Sequence, residues 1–341
     1  MKEKIIVTGA AGFIGFHLCK RLIEDGFYVI GIDNLNSYYD LELKKARLNE
    51  IKKSINSDEN IWDFIKVDLE NKEKIDEIFQ EYRPNGVVHL AAQAGVRYSI
   101  KNPITYLNSN LLGFGIILES CRKYSIKNLL YASSSSVYGG NTKTPFSEID
   151  QVNHPVSLYA ATKKANELMA HSYSNLYEIC CTGMRFFTVY GPWGRPDMAP
   201  IIFTKRILEK KPIQIFNHGK ISRDFTYIDD AIESIIRLFK KPSTPDLKFN
   251  KSEPNPSTSW APYKVFNIGN NKSVPILNFI DLLEKELGIT AIKEFVTMQP
   301  GDVENTSANT DKLESWTGFK PSTSLEVGIK NFVKWYLNFY Q

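Results

Sequence analysis

The pentapeptide Tyr159-Ala160-Ala161-Thr162-Lys163 places a phenol and an ammonium on one face of a helix, about one turn apart. A nearby cation favours the phenolate. The spacing therefore predicts a tyrosine whose acidity moves toward neutral pH, where it takes or gives a proton. Upstream stands the run Ser133-Ser134-Ser135-Ser136-Val137-Tyr138-Gly139. A serine at a strand end is placed to hydrogen-bond the same substrate hydroxyl. These are parts for oxidising a hydroxyl, provided a nicotinamide lies beside them. The spacing alone equally describes an ordinary tyrosine on an exposed helix. With 17 tyrosines in the chain, such matches arise by chance, so the elements that carry these residues must decide.

The N-terminal stretch supplies the first of them. Lys4-Ile5-Ile6-Val7-Thr8 reads as a strand, Gly9-Ala10-Ala11-Gly12-Phe13-Ile14-Gly15 as a Gly-rich turn, and the residues up to Gly26 as a helix. A second strand, Tyr28 to Ile32, closes on Asp33. Glycines let backbone approach a pyrophosphate, and the helix N-terminus offers free N–H groups and a positive dipole end. An acid at the next strand end accepts hydrogen bonds from the adenosine ribose and repels a 2′-phosphate, which favours NAD over NADP. Further strands follow at 62–67, 86–90, 128–134 and 180–187, with helices between them at 40–53, near 75–82, and at 106–124. Strand–helix alternation predicts right-handed crossovers and a parallel, doubly wound sheet that binds ligands at its carboxyl strand ends. Asp33, Asp68, Ala91 and Ser134 all fall at such ends. His89 ends the fourth strand, and is read as a structural histidine.

Beyond Pro196 the pattern becomes shorter helices and strands, with a Pro/Ser-rich loop at 242–262. Val265 to Ile268 reads as a strand returning to the main sheet. The expected organisation is a Rossmann-type α/β domain at 1–190, which also receives the 265–268 strand and its following helix. A smaller lobe at 191–262 and 289–320 and a C-terminal helix within 321–341 complete it. At 341 residues the chain has ample length for this. Its net charge is +4 with basic residues dispersed, so no nucleic-acid stripe is indicated. Cys19, Cys121, Cys180 and Cys181 show no metal-ligand spacing and suit a reducing compartment. No apolar run approaches membrane-spanning length and no signal peptide is evident. The expectation is a cytoplasmic protein without metal or membrane partner.

The whole chain resembles the extended short-chain dehydrogenase/reductases that act on nucleotide sugars, and more narrowly the bacterial UDP-glucuronate 4-epimerases. The marks are Gly9 to Gly15, His89 to Ser99, the serine run, Tyr159 to Lys163, Arg185 to Pro192, Arg195 to Met198, Arg223 to Asp230, and Met298 to Val303. The resemblance implies Ser134, Tyr159 and Lys163 as catalytic residues. It implies tightly bound NAD held by Gly9, Gly12, Phe13, Ile14, Gly15, Asp33, Asn34, Asn36, Asp68, Leu69, Ala91, Ala92, Gln93, Asn108, Ser133, Tyr159, Lys163 and Phe186. The UDP-sugar would meet Arg97, Ser134, Ser135, Ser136, Thr188, Arg195, Arg223 and Asp302. The family forms homodimers through helices equivalent to 106–124 and 159–175.

Alternatives remain at this level. Arg195 also reads as a surface arginine, and Arg223 as an ion pair with Asp224 or Asp229. A 4,6-dehydratase carries Asp-Glu after the catalytic Ser/Thr, where Ser135-Ser136 stands here. UDP-glucuronate decarboxylases carry Glu at the place of Ser136, and galactose epimerases carry Asn at the place of Thr188. A catalytically silent NAD-binding regulator is the reading from another class.

Overall fold

The computed structural model describes residues 2–55, 61–299 and 301–341. Pro300, inside the Met298–Val303 motif, lies outside them. Seven parallel strands form the main sheet: β1 (Lys4–Thr8), β2 (Tyr28–Asp33), β3 (Trp62–Lys66), β4 (Gly86–His89), β5 (Asn128–Ser134), β6 (Cys180–Phe186) and β10 (Tyr263–Ile268). Their order is β10-β6-β5-β4-β1-β2-β3. The strand order reverses beside β1, and the crevice at that switch is where a doubly wound sheet binds its ligand. Register brings Thr8 opposite Ile32 and His89, and Ser134 opposite Phe186, so the carboxyl ends line up along one edge.

Helices cover both faces, and the strands are apolar on both sides as this requires. Ile5 and Val7 join α1 (Phe13–Glu24), while Ile6 between them joins α3 (Lys72–Tyr82) and α6 (Gly113–Lys123). This is the period-2 alternation of a strand buried twice. Helix α2 (Leu41–Lys53) lies beside α1, and α7 (Leu158–Tyr177) packs on β5 and β6. Ser157 caps α7, its hydroxyl accepting from the Ala160 N–H at 3.1 Å.

The expected helix at 106–124 is present as a continuous helical run that widens at 107–112. Short helices α4 (Val96–Lys101) and α5 (Pro103–Tyr106) come first, then a π-helical turn at 107–112, then α6. The wide turn changes which side chains face inward. Asn110 is buried, accepting from the Gln93 N–H at 2.8 Å and donating to the Gln93 carbonyl and the Thr162 hydroxyl, each at 3.1 Å.

The sixth strand also ends one residue early. At Phe187 the chain leaves the main sheet, and β7 (Thr188–Tyr190) starts a three-stranded sheet in the order β11-β9-β7. Its other members are β9 (Ser222–Tyr227) and β11 (Ser273–Pro275). A two-stranded sheet pairs β8 (Ile213–Ile215) with β12 (Lys293–Phe295). The remaining helices are α8 (Ala199–Leu208), α9 (Ile228–Lys240), α10 (Ile276–Leu287), α11 (Asp311–Thr317) and α12 (Leu325–Tyr340). Ile329, Phe332, Val333 and Tyr336 anchor α12 in the same core as α1 and α9. Among the described residues, no helix is long and apolar enough to cross a membrane. The four cysteines are free thiols.

Candidate active site

A cleft of about 930 Å³ runs along the carboxyl edge of the main sheet and under the smaller sheets. Its floor begins at the Gly-rich turn. Gly9 has φ +74° and an added Cβ would stand 2.8 Å from the Ala91 nitrogen, so only glycine fits there. Helix α1 starts with no side-chain cap and no acid in its first turn. Gly12, Phe13, Ile14 and Gly15 line the cleft, leaving this N-terminus open to an anion. Asp33 closes β2, its carboxylate accepting from the Ala11 N–H at 3.1 Å and the Leu35 N–H at 2.8 Å. Burial raises its pKa, opposed by those N–H groups and by Lys44 and Arg47. Asn34 donates to Asp68 at 3.0 Å. An open helix N-terminus, a glycine floor and an acid at the next strand end fit a dinucleotide.

At the other end stand Ser134, Tyr159 and Lys163. Ser134 ends β5, and its hydroxyl accepts from the Ser136 N–H at 3.1 Å. That bond caps a 3₁₀ turn at 135–138, which brings Ser135 and Ser136 to the cleft wall. Tyr159 lies on the first turn of α7, its phenol beside the Ser134 hydroxyl. Lys163, one turn on, donates to the Ala132 carbonyl at 2.8 Å. The expectation of an acidified tyrosine is corrected here. Burial raises the Tyr159 phenol above its ordinary value; the Ser134 hydroxyl and the Arg195 charge oppose this. Burial also lowers Lys163 to about 8, and one of its N–H groups goes to the strand carbonyl.

Thr188 and Arg195 line the same cleft. Arg195 is no surface arginine: its side chain is 22% exposed and paired with Asp197. Arg223 pairs with neither Asp224 nor Asp229. Its guanidinium donates to the carbonyls of Ser222 at 3.0 Å and Glu304 at 2.9 Å, while Asp224 is taken up by the Ala308 and Asn270 N–H groups. Arg97 bridges to Asp302 at 3.0 Å and lies over the Phe216 ring. The anticipated set of wall residues is otherwise brought together, including Asn36, Leu69, Ala91, Ala92, Gln93, Ser133 and Phe186. Asn108 is the exception. The π turn sends its side chain to Glu70, and Ser109 lines the cleft in its place. The Ser133 hydroxyl faces away, donating to Glu167 at 2.7 Å. His89 is structural, sharing a 2.9 Å hydrogen bond with Thr8 and held neutral by burial.

Among the wall residues that escaped the sequence reading are Tyr38, Lys44 and Asp197. Lys44 is 4% exposed, donating to the Asn36 carbonyl at 2.8 Å and its side-chain oxygen at 2.9 Å. A signal existed: Lys44 and Arg47 share the helix face of Leu43, Leu48 and Ile51. Fully buried Arg47 donates to the carbonyls of Ala11, Trp193 and Gly194, so it ties the Gly-rich turn to the loop that carries Arg195.

Comparison with known proteins agrees with this geometry. Residues 5–269 match the model of the NAD dependent epimerase/dehydratase family. Protein CapI of Staphylococcus aureus is 54% identical over 338 residues, 99% of each chain. A probable UDP-glucuronate 4-epimerase of Rhizobium meliloti is 46% identical over 337 residues, 98% of this chain and 96% of the relative. Among solved structures, a UDP-glucuronic acid 4-epimerase from Bacillus cereus, in complex with UDP-glucuronic acid and NAD, superimposes with a TM-score of 0.84. It is 35% identical, covering 99% of this chain and 100% of that one. A dinucleotide cradle, a Ser–Tyr–Lys set and full-length likeness converge: the chain belongs to the NAD-dependent epimerase/dehydratase family.

Proposed function

We propose that this chain is an NAD-dependent UDP-glucuronate 4-epimerase, supplying UDP-galacturonate for surface polysaccharide. The observation that carries the reading is the meeting, in one cleft, of Ser134, Tyr159 and Lys163 with Thr188 and Arg195. The relatives named for the same reaction support it. Bound NAD supplies the hydride acceptor and donor: hydride leaves C4 of the sugar and returns to the opposite face of the 4-keto sugar. Gly9, Gly12, Phe13, Ile14, Gly15 and Asp33 would hold it, with Lys44 beside Asp33. Tyr159 takes the C4 hydroxyl proton and later gives it back, and Ser134 holds that hydroxyl in line. Lys163, fixed on the Ala132 carbonyl, keeps its charge within the wall of α7. Arg97 and Arg223 face the diphosphate, and Thr188, Ser135, Ser136 and Arg195 face the C6 carboxylate.

The protein acts as a homodimer in this reading. Ile100, Ile104, Leu112, Leu168 and Leu176 are exposed apolar residues on α4 to α7, and burying such a patch drives association. The site of action is the cytoplasm, where four free thiols are at home. The test is incubation of purified protein with UDP-glucuronate and no added NAD, followed by proton NMR. UDP-galacturonate growing to a fixed ratio is the expected result. Accumulation of UDP-pentose would make the protein a decarboxylase. Reaction with UDP-glucose or UDP-N-acetylglucosamine alone would remove the carboxylate assignment of Thr188 and Arg195.

A further inference from the structure

One edge of the Arg195 guanidinium is already engaged. Its Nε donates to Asp197 Oδ1 at 3.0 Å and its Nη2 to Asp197 Oδ2 at 2.5 Å. Tyr38, from the loop after β2, donates its hydroxyl to the same Oδ2 at 3.0 Å. Gly95, after β4, forms the floor with φ +99°. An added Cβ there would stand 3.1 Å from Tyr38 Oη, 3.8 Å from Arg195 Nη2 and 3.9 Å from Asp197 Oδ2. Tyr38 packs on Tyr98 with ring centroids 4.8 Å apart. Loops from three different strand ends thus converge on one carboxylate. A two-bond carboxylate fixes the plane of a guanidinium, which a single contact does not. Arg195 and Tyr159 line the same cleft, so the held charge stands in the pocket that also holds the phenol.

We propose that Asp197, steadied by Tyr38, is a positioning residue that keeps Arg195 off the C4 oxygen, so that the 4-keto sugar is epimerised and not decarboxylated. The inference rests on the UDP-glucuronate reading. In the 4-keto sugar the ketone is β to the C6 carboxylate. Decarboxylation breaks the C5–C6 bond and releases carbon dioxide. The bonding pair becomes an enolate spread over C5, C4 and the C4 oxygen, and water then protonates C5. The hydride taken from C4 in the first oxidation then returns to C4 of the 4-keto-pentose and gives UDP-pentose, so no further oxidant or reductant enters. A cation at the carboxylate stabilises charge that this step removes, and so raises the barrier. The same cation at the C4 oxygen stabilises charge that the step creates, and lowers it. Where Arg195 stands therefore sets the sign of its effect. Asp197 and Tyr38 decide where it stands: the tether takes the Nε/Nη2 edge and leaves the remaining edge to the sugar acid.

The test compares wild type, Asp197→Asn and Tyr38→Phe, each as holoenzyme with UDP-glucuronate, reading UDP-pentose against UDP-galacturonate by proton NMR. Asp197→Asn keeps the shape and removes the charge. It is expected to raise the pentose fraction at least about tenfold, a shift of ~1.4 kcal/mol between the competing barriers. Tyr38→Phe removes one hydrogen bond to the tether and is expected to raise that fraction about threefold. Asp197→Glu should restore part of the wild-type ratio. A merely structural defect would slow both products together. An unchanged ratio in variants that still turn over overturns the inference. If Asp197→Asn does not fold, Tyr38→Phe decides by the same criterion. A wild type that ignores UDP-glucuronate removes the substrate reading, and this inference with it.

Discussion

Replacing Glu167 by Gln tests how the reactive helix is held to the sheet. Tyr159, Lys163 and Glu167 follow one another at four-residue steps along α7. Each meets the end of β5: Tyr159 the Ser134 hydroxyl, Lys163 the Ala132 carbonyl, Glu167 the Ser133 hydroxyl. Glu167 also forks Arg185 of β6, at 2.8 Å and 2.9 Å, with side chains 1% and 0% exposed. Glutamine keeps one acceptor but turns an N–H₂ toward a guanidinium donor. Removing one partner of a buried pair leaves the other charge uncompensated, a cost of about 3–5 kcal/mol. That is a large part of a typical stability of about 5–15 kcal/mol. Pulling α7 away from β5 should also lower kcat about 10- to 100-fold while KM changes little, because it misplaces reacting groups and leaves the distant diphosphate contacts alone. The Arg185 charge holds the Glu167 carboxyl below its ordinary value despite burial. Its contribution is therefore present above the usual glutamate range and is lost as pH falls through the depressed folded-state value. Urea unfolding of wild type, Glu167→Gln and Glu167→Gln/Arg185→Met, at neutral and acid pH, checks each step. The double variant should recover stability, and the difference from wild type should shrink in acid. A single variant that loses under ~1 kcal/mol with kcat intact would falsify the account.

Tyrosinate absorbance of the cofactor-free protein, taken as wild type minus Tyr159→Phe, should appear only above pH 10, and Ser134→Ala should move it higher still. A shift downward would mean that burial does not dominate there. Arg47→Met strips the carbonyls of Ala11, Trp193 and Gly194 of a buried donor. We expect a loss of about 2–4 kcal/mol and weaker NAD binding, read by denaturation and by calorimetric titration; unchanged affinity would detach that loop from the cofactor. Asp33→Asn should narrow the preference for NAD over NADP by roughly tenfold, the scale of one partly screened charge pair, in competitive titration. Ile104→Glu with Leu168→Glu should yield monomers in sedimentation; a dimer that persists would place the interface elsewhere.

Much of the scaffold is written in local patterns. The strand, glycine turn, helix and acid from Lys4 to Asp33 stand where the sequence puts them, because a two-residue alternation and a 3.6-residue period are properties of a short stretch. For the same reason α10 comes after the 265–268 strand and α12 falls within 321–341, as expected. The Ser134, Tyr159 and Lys163 set was legible as spacing plus strand-end position. What the sequence by itself determined is thus the identity and order of the parts: a doubly wound sheet, a dinucleotide cradle and a Ser–Tyr–Lys set beside it. Tertiary structure decided where side chains point and what charge they carry. The run from Cys180 to Tyr190 is continuously strand-like, and only pairing of Thr188 with Phe225 moves it to a second sheet. At the π turn Ser109, not Asn108, lines the cleft and Asn110 is buried against Gln93 and Thr162, a backbone register that no residue type announces. The tyrosine's acidity reversed sign because desolvation depends on everything packed around the phenol, whereas spacing counts one neighbour. Lys44, Tyr38 and Asp197 joined the site through contacts between segments far apart in the chain, which periodicity does not encode.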